Sequence, residues 1–162
     1  MKKLFLFVAV LFFVCESEAQ EQGVVINGVT WATCNVGNYG TFVSNVEDYG
    51  NYYTWLEARN NACPSGWRLP TYEEIKQLIE ADNQWTTING VGGRKFGSGN
   101  NTIFLPAAGS RGGMRVGTNG CYWSSELTGV NNVLAVIISF TNGVAMLNNL
   151  RYTDGLLVRC VR

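Results

Sequence analysis

Short apolar runs separated by turn signals recur along the chain, a pattern typical of β-strands joined by tight turns. Two of these runs, Val24–Ile26 and Val29–Trp31, flank the pair Asn27-Gly28. Asn-Gly accepts the positive φ angles of a two-residue hairpin turn, so we predict an opening β-hairpin here. The same signal recurs at residues 89–90, 119–120 and 142–143.

A longer apolar run predicts a buried strand. Residues 133–140 are apolar except for Ser139, and half of them are β-branched. This composition is typical of a central strand that is covered on both faces. The run leads through the turn at residues 141–143 into residues 144–147, and residues 156–161 read as a further strand.

Helical signals are fewer. Thr71 and Glu74 have the spacing of a capping box, and Ile75, Leu78 and Ile79 follow on one helical face, so we predict a helix over residues 72–81. A shorter helix is predicted around residues 54–59, and a Gly-rich loop over residues 107–120. No linker-like stretch divides the chain, so we predict one α+β domain.

The N-terminus reads as a targeting segment. A basic start, Met1-Lys2-Lys3, precedes an apolar run over residues 4–15 that is too short to span a bilayer. We predict a signal peptide over residues 1–19, cleaved after Ala19, and a single domain over residues 20–162 with no transmembrane span. Lipidation at Cys15 is the alternative, although Val14 is larger than the residue that lipoprotein processing prefers there.

Charge and composition exclude several functions. The 162 residues contain 12 Lys+Arg and 12 Asp+Glu, and a neutral chain lacks the basic excess that nucleic-acid binding requires. Histidine is absent, which removes Ser-His-Asp and Cys-His catalysis and His-containing zinc sites. We expect no nucleic-acid partner and no cofactor.

Three local motifs favour structural interpretations. Ser110 lies in a small-x-Ser-x-Gly sequence like a hydrolase elbow, but there is no histidine to activate it. The glycines of residues 90–97 lack the Gly-Lys-Ser/Thr of a phosphate loop, so we predict a hairpin loop there. The oxygen ligands of Asn131, Asn132 and Asp154 lack the spacing of a calcium loop, so we expect turns.

Four cysteines follow the predicted cleavage point: Cys34, Cys63, Cys121 and Cys160. An even number in an exported chain makes one or two disulfides plausible, and the lack of Cys-x-x-Cys argues against zinc-ribbon and thioredoxin-type sites. The alternative is that all four thiols are buried and reduced.

Several sequence blocks, in the same order, resemble the Fibrobacter succinogenes major paralogous domain family over about residues 28–162. The blocks are residues 53–58 (Tyr-Thr-Trp-Leu-Glu-Ala), 63–71 (Cys-Pro-Ser-Gly-Trp-Arg-Leu-Pro-Thr) with Glu74, 104–111 (Phe-Leu-Pro-Ala-Ala-Gly-Ser-Arg), 120–125 (Gly-Cys-Tyr-Trp-Ser-Ser) and 158–161 (Val-Arg-Cys-Val).

This resemblance implies a C-type-lectin-like fold, with two helices packed on a twisted, mostly antiparallel sheet with long loops. Formylglycine-generating enzymes are distantly similar and share the Arg-Leu-Pro-Thr-x-x-Glu pattern found here from Arg68 to Glu74. The resemblance also implies a Cys63–Cys160 disulfide. Cys34 and Cys121 would then pair with each other or stay reduced, and pairing is the hypothesis we carry forward.

The resemblance implies a fold more directly than an activity. The calcium-dependent sugar motifs of C-type lectins are absent, and Cys121 and Cys160 do not match the cysteine pattern of the oxidases. We therefore expect no metal site and no enzyme, but an exported, envelope-associated or secreted module that binds a glycan or a protein. The alternatives are a structural or adhesive component of a surface assembly and, third, a formylglycine-generating-like enzyme. Arg111 and Arg115 in the Gly-rich loop are the candidate ligand-binding residues.

Overall fold

The structure is a computed structural model that describes residues 23–162. The predicted signal peptide and Cys15 lie outside the described residues. The elements are β1 (Val24–Ile26), β2 (Val29–Trp31), α1 (Trp55–Glu57) continuing into a π-helical turn (Ala58–Ala62), α2 (Tyr72–Glu80), β3 (Asn83–Ile88), β4 (Val91–Ser98), β5 (Asn101–Pro106), β6 (Gly120–Thr128), a 3₁₀ turn (Val130–Asn132), β7 (Leu134–Phe140) and β8 (Ala145–Arg151).

The strands form three antiparallel sheets, in the orders β1-β2, β3-β4-β5 and β6-β7-β8. With two short helices beside them, the described residues have the α+β class that the sequence predicted. β7 is central in its sheet, and Ala135, Ile137 and Phe140 along it are buried. The prediction of a central buried strand is therefore confirmed.

Three of the four Asn-Gly pairs lie in predicted hairpins: Asn142-Gly143 joins β7 to β8 without positive φ, and the other two form two-residue turns. Asn27 and Gly28, with φ of 49° and 82°, join β1 to β2, and Ile26 pairs with Val29 across the turn. Asn89 and Gly90 join β3 to β4 with φ of 48° and 83°. Both residues of such a turn need positive φ, which asparagine and glycine accept at little cost.

The pair Asn119-Gly120 does not make a hairpin. Gly120 is the first residue of β6, and its partner on β7 is Phe140, whose ring lies where a Cβ at residue 120 would stand. The glycine is needed here because an aromatic ring approaches the backbone, and residues 107–119 before it form the predicted loop.

The glycines of residues 90–97 were wrongly predicted to form a loop, because most of them belong to strand β4. A Cβ on Gly93 would lie 2.5 Å from the Leu105 carbonyl oxygen and equally close to the Phe104 ring on β5. Close approach of two strands, rather than a turn, explains this glycine.

Both predicted helices form, and each begins with a capping box. In α2 the Thr71 hydroxyl accepts from the Glu74 N–H, while the Glu74 carboxylate accepts from the Thr71 N–H. Thr54 and Glu57 make the same exchange at the start of α1. Ile75 and Leu78 on α2 are buried, so the helix presents its apolar stripe to the core.

Residues 156–161 do not form a regular strand, which corrects the prediction. They are extended, but single bridges join Leu156 to Tyr53, Leu157 to Tyr122 and Val161 to both Trp31 and Arg68. The segment therefore passes between several elements and pairs continuously with none of them.

A buried polar network crosses the interior beside this segment. Arg159, 1% exposed, donates from Nη1 to the carbonyls of Ala32 and Thr33, from Nη2 to Phe104, and from Nε to Asn35 Oδ1, at 2.6–3.0 Å. Asn35 in turn donates to the Tyr122 hydroxyl at 3.2 Å. A buried guanidinium is tolerated only when its donors find acceptors in this way.

A disulfide joins Cys63 to Cys160, with an S–S distance of 2.05 Å and a Cα–Cα distance of 6.0 Å. This pairing, which the family resemblance implied, is confirmed. The bond ties the chain just after the π-helical turn to the 156–161 segment, across a separation of 97 residues.

The double variant Cys63→Ala/Cys160→Ala should unfold with a free energy about 4–5 kcal/mol lower than that of the wild type, because the unfolded chain regains the entropy of a long loop. Urea denaturation without reductant measures the loss. Each single variant should lose nearly as much, since either one removes the whole cross-link. Small losses that add up in the double variant would contradict this account.

Acid should destabilise the fold through Glu74. Its pKa lies below the ordinary value, first because Arg68 donates to its carboxylate at 2.6 and 2.7 Å and also because of the Thr71 N–H. A group whose pKa is lower in the folded state stabilises the fold above its unfolded pKa of about 4.3 and loses that contribution as the pH falls through the folded value.

We therefore expect Glu74→Gln to be less stable than the wild type at neutral pH, and the difference to shrink below about pH 4, as followed by urea midpoints at several pH values. Glu73→Gln is the matched control, because Glu73 makes only a 3.9 Å contact with Lys76. A stability difference for Glu74→Gln that does not change with pH would refute the assignment.

Candidate functional site

The candidate site is a surface groove beside α1, which we name the Tyr39 groove. It has a volume of about 580 Å³, within the ~300–1,000 Å³ typical of small-ligand sites. Its lining residues are Asn38, Tyr39, Asn51, Tyr52, Tyr53, Glu57 and Arg111.

A tight turn presents Tyr39. The Gly37 N–H donates to the Thr41 carbonyl at 2.9 Å, and Gly40 has φ of 70°, a conformation that favours glycine. Tyr39 at the tip of this turn is 53% exposed. Its ring contacts the Tyr53 ring at an angle of 51°, with ring centroids 5.1 Å apart, so Tyr53 holds the Tyr39 ring while about half of Tyr39 stays open to solvent.

Two tyrosines form the floor of the groove: Tyr53 is buried and Tyr52 is partly buried. The Tyr53 hydroxyl donates to the Gly37 carbonyl, and the Tyr52 hydroxyl donates to the Ala108 carbonyl. Burial raises the pKa of both hydroxyls, so they remain protonated donors at neutral pH. The turn that carries Tyr39 is therefore fixed before any ligand arrives.

Polar groups converge around the ring. Asn51 Nδ2 donates to Asn38 Oδ1 at 3.2 Å, which leaves Asn38 Nδ2 and Asn51 Oδ1 available as donor and acceptor. The Glu57 carboxylate has a lowered pKa, first because the Thr54 N–H donates to it. It is therefore an ionised acceptor at neutral pH, on the same groove as the Arg111 guanidinium.

The structure brings only one of the two predicted arginines into the groove. Arg111 packs against Gly155 and donates from Nη2 to the Tyr52 carbonyl at 2.8 Å. Arg115 is exposed in the same loop and does not line the groove, and its carbonyl accepts from the Thr118 and Asn119 N–H groups. Of the two candidate ligand-binding residues, only Arg111 therefore lines this groove.

The remaining groove residues were missed from the sequence. Asn38-Tyr39 and Asn51-Tyr52 are two Asn-Tyr pairs in one irregular, Gly-containing segment, and this repetition is the signal that points to them. Glu57 was predicted only as a helical residue. Its capping-box hydrogen bond with Thr54, at the start of α1, positions its carboxylate at the groove.

A second cleft, the Trp67 cleft, has a volume of about 330 Å³ and includes Arg59, Cys63, Trp67 and Arg68. Its cationic and aromatic groups already have partners. Arg59 stacks over Trp55 at 5.1 Å, Arg162 stacks over Trp67 at 4.6 Å, and Arg68 pairs with Glu74. The Trp67 ring is covered by Arg162, whereas the Tyr39 ring is half exposed, so the Tyr39 groove is the more accessible of the two to a ligand.

Cys34 and Cys121 are not joined by a disulfide, which corrects the hypothesis of a second bridge. Asn35 and Tyr122, the next residue in each case, contact each other. Neighbouring side chains on an extended strand point to opposite faces, so Cys121 points away from this contact and lies 2.9 Å from Met114 Sδ. Cys34 lies beside the Thr33 hydroxyl instead.

No three His, Cys, Asp or Glu side chains come together in a metal-binding group within residues 23–162. In the same part of the chain, no helix has both the length and the apolar character needed to cross a membrane.

These features define an α+β domain with one disulfide between distant parts of the same chain and a preformed groove lined by polar and aromatic side chains. The family model of the Lcl C-terminal domain matches residues 25–162, and because the match takes in most of the chain, the chain belongs to that family. No curated protein and no solved structure matches the chain.

The Cys121 thiol should be almost unreactive in the folded protein, because burial raises its pKa to about 11. At about pH 8 we expect iodoacetamide to label Cys121 at least about 100-fold more slowly in native protein than in urea, since only thiolate reacts. Mass spectrometry of the labelled peptides gives both rates. Equal rates, or a Cys34–Cys121 linked peptide without reductant, would contradict the structure.

Proposed function

We propose that the protein is an exported binding module whose Tyr39 groove binds a carbohydrate. The observation that carries the proposal is the half-exposed Tyr39 ring surrounded by amide, carboxylate and guanidinium groups. The apolar C–H face of a sugar ring stacks on an aromatic face, while its hydroxyls need donors and acceptors in the plane around it. The groove supplies both.

The preformed geometry supports binding. The Tyr53 ring contacts the Tyr39 ring, and Asn38 and Asn51 are already hydrogen-bonded to each other. A ligand therefore orders few side chains, which reduces the entropy cost of association.

The electrostatics favour binding over catalysis. Acid–base cleavage of a sugar bond uses a pair of carboxyl groups, one of which is a general acid with a raised pKa. Glu57 is the only carboxylate among the residues that line the groove, and its pKa is shifted downward. This combination suits an ionised acceptor for sugar hydroxyls, and we propose no enzymatic activity.

We further propose that the domain is a variant of the C-type-lectin-like fold, as the resemblance to the Fibrobacter succinogenes major paralogous domain implies. The antiparallel sheets, the two short helices and the Cys63–Cys160 disulfide support this proposal. The disulfide is also consistent with export through residues 1–19 to an oxidising compartment. Cleavage after Ala19 rather than lipidation at Cys15 remains our prediction.

A glycan array followed by calorimetry tests the function. For a glycan that the wild-type domain retains, Tyr39→Ala and Arg111→Ala should each weaken binding by about tenfold or more, because each removes a stacking face or a charged donor. Arg115→Ala and Tyr72→Ala are matched controls, since Arg115 lies in the same loop and Tyr72 is a surface tyrosine on α2. Both should bind like the wild type.

Binding to no glycan, or glycan binding that survives both groove substitutions, would refute the proposal. Capture of a specific protein from envelope extracts through Arg111, without any glycan, would instead favour a protein partner for the same groove.

A further inference from the structure

The chain contains four Asn-Gly pairs, which are the dipeptides most prone to one spontaneous reaction. The backbone nitrogen of the glycine attacks the side-chain carbonyl carbon of the asparagine, and the five-membered ring that forms then takes up water. The missing Cβ of glycine leaves this nitrogen unhindered. Folding decides which pair reacts, because the side chain must leave its partners and the backbone must rotate.

Folding restrains three of the four pairs. Asn27 Nδ2 donates to the Gln77 carbonyl at 2.9 Å, and Asn89 Nδ2 donates to Glu47 Oε1 at 2.7 Å. Asn119 Oδ1 accepts from the Thr118 hydroxyl at 2.9 Å, and the glycine that follows is buried in β6 against a ring of β7. In each case ring closure must first break a hydrogen bond or move a packed strand.

The fourth pair, Asn142-Gly143, is differently placed. Both residues are exposed in the short connection between β7 and β8. The Asn142 side chain makes no hydrogen bond to any residue of the described chain. The Gly143 N–H has one long bond, 3.3 Å to the Thr141 hydroxyl. Ring closure at this pair therefore breaks only one long hydrogen bond.

A buried guanidinium lies directly beneath this turn. Arg94 is 7% exposed, and its Nη1 donates to the Thr141 carbonyl at 2.8 Å and to the Asn142 carbonyl at 3.2 Å. Its Nε donates to Asn83 Oδ1, a neutral acceptor. Within residues 23–162 no carboxylate forms a salt bridge with Arg94, so this charge is held by neutral oxygens alone.

We propose that Asn142 is a site of spontaneous deamidation, and that the carboxylate it produces pairs with Arg94. The Gly143 nitrogen loses its proton and forms a bond to Asn142 Cγ, and the Cγ–Nδ2 bond breaks with release of ammonia. Water then opens the ring at either carbonyl, giving aspartate or isoaspartate. The net reaction consumes one water, releases one ammonia and involves no oxidant or reductant.

Slow incubation of the folded protein at mildly alkaline pH tests the first part, with fragmentation mass spectrometry to assign each site. Asn142 should deamidate at least about tenfold faster than Asn27, Asn89 and Asn119, and in concentrated urea the four rates should converge. A native rate at Asn27, Asn89 or Asn119 equal to or above that of Asn142 would overturn the site assignment.

Gly143→Ala provides a matched variant. A Cβ at this residue meets nothing closer than the Thr141 hydroxyl at 4.0 Å, and the glycine does not have positive φ, so the variant should fold normally. It should slow deamidation at Asn142 by about tenfold or more and leave the other three sites unchanged. An unaltered rate at Asn142 would show that the reaction does not proceed through the Gly143 nitrogen.

The pairing with Arg94 has its own test. Asn142→Asp should raise the Tm by about 2–4 °C at low salt, and high salt should reduce the gain. Asn89→Asp is the control, because it places a second carboxylate beside Glu47 and should not be stabilising. A Tm for Asn142→Asp that is unchanged or lower would overturn the pairing.

Discussion

The Arg159 guanidinium lies in the interior and donates hydrogen bonds to Ala32, Thr33, Asn35 and Phe104. A buried cation without acceptors would cost several kcal/mol, so these bonds have to form together when the core closes. The requirement fixes three parts of the chain relative to one another: the segment that follows β2, the middle of β5 and the 156–161 segment. Apolar packing alone would tolerate sliding between them, whereas directional bonds to one planar group do not.

The Tyr39 groove depends on the same arrangement. The loop that carries Tyr39 leaves the core at Val36, whose N–H donates to the Val158 carbonyl, and returns at Tyr53, whose backbone pairs with Leu156. Asn35, which accepts from Arg159, also donates to the Tyr49 carbonyl inside this loop. An irregular surface loop thus has both its ends and one point in between attached to the core, which explains how it holds a defined groove without regular secondary structure.

Local signals in the sequence predicted the elements that are stabilised locally. The Asn27-Gly28 hairpin, the capping box of α2 and the apolar run of β7 each depend on neighbouring residues, so the pattern was sufficient. The glycines of β4 were misread because their cause, close contact with Phe104 and Leu105, lies on another strand.

The groove residues were also hard to predict from the sequence, because they come together only in the folded chain. Arg111 was identified as a loop arginine, but its neighbours Tyr39 and Glu57 come from distant parts of the sequence and were not identified. Arg159 would pass for an ordinary strand residue, since no local pattern shows that its acceptors lie up to 127 residues earlier. Cys34 and Cys121 could not be excluded as a pair until the directions of their side chains were known.

The position of the 156–161 segment also bears on the order in which the molecule can form. β1 and β2 pair with each other locally. In contrast, Trp31 and Arg68 both bridge to Val161, and Cys63 forms its disulfide with Cys160. During synthesis from the N-terminus, these elements are made before the 156–161 segment, which packs between them in the folded protein. The core contacts made by Trp31, Arg68 and Cys63 therefore form only once the 156–161 segment is present, and a chain that lacks this segment has an incompletely packed core.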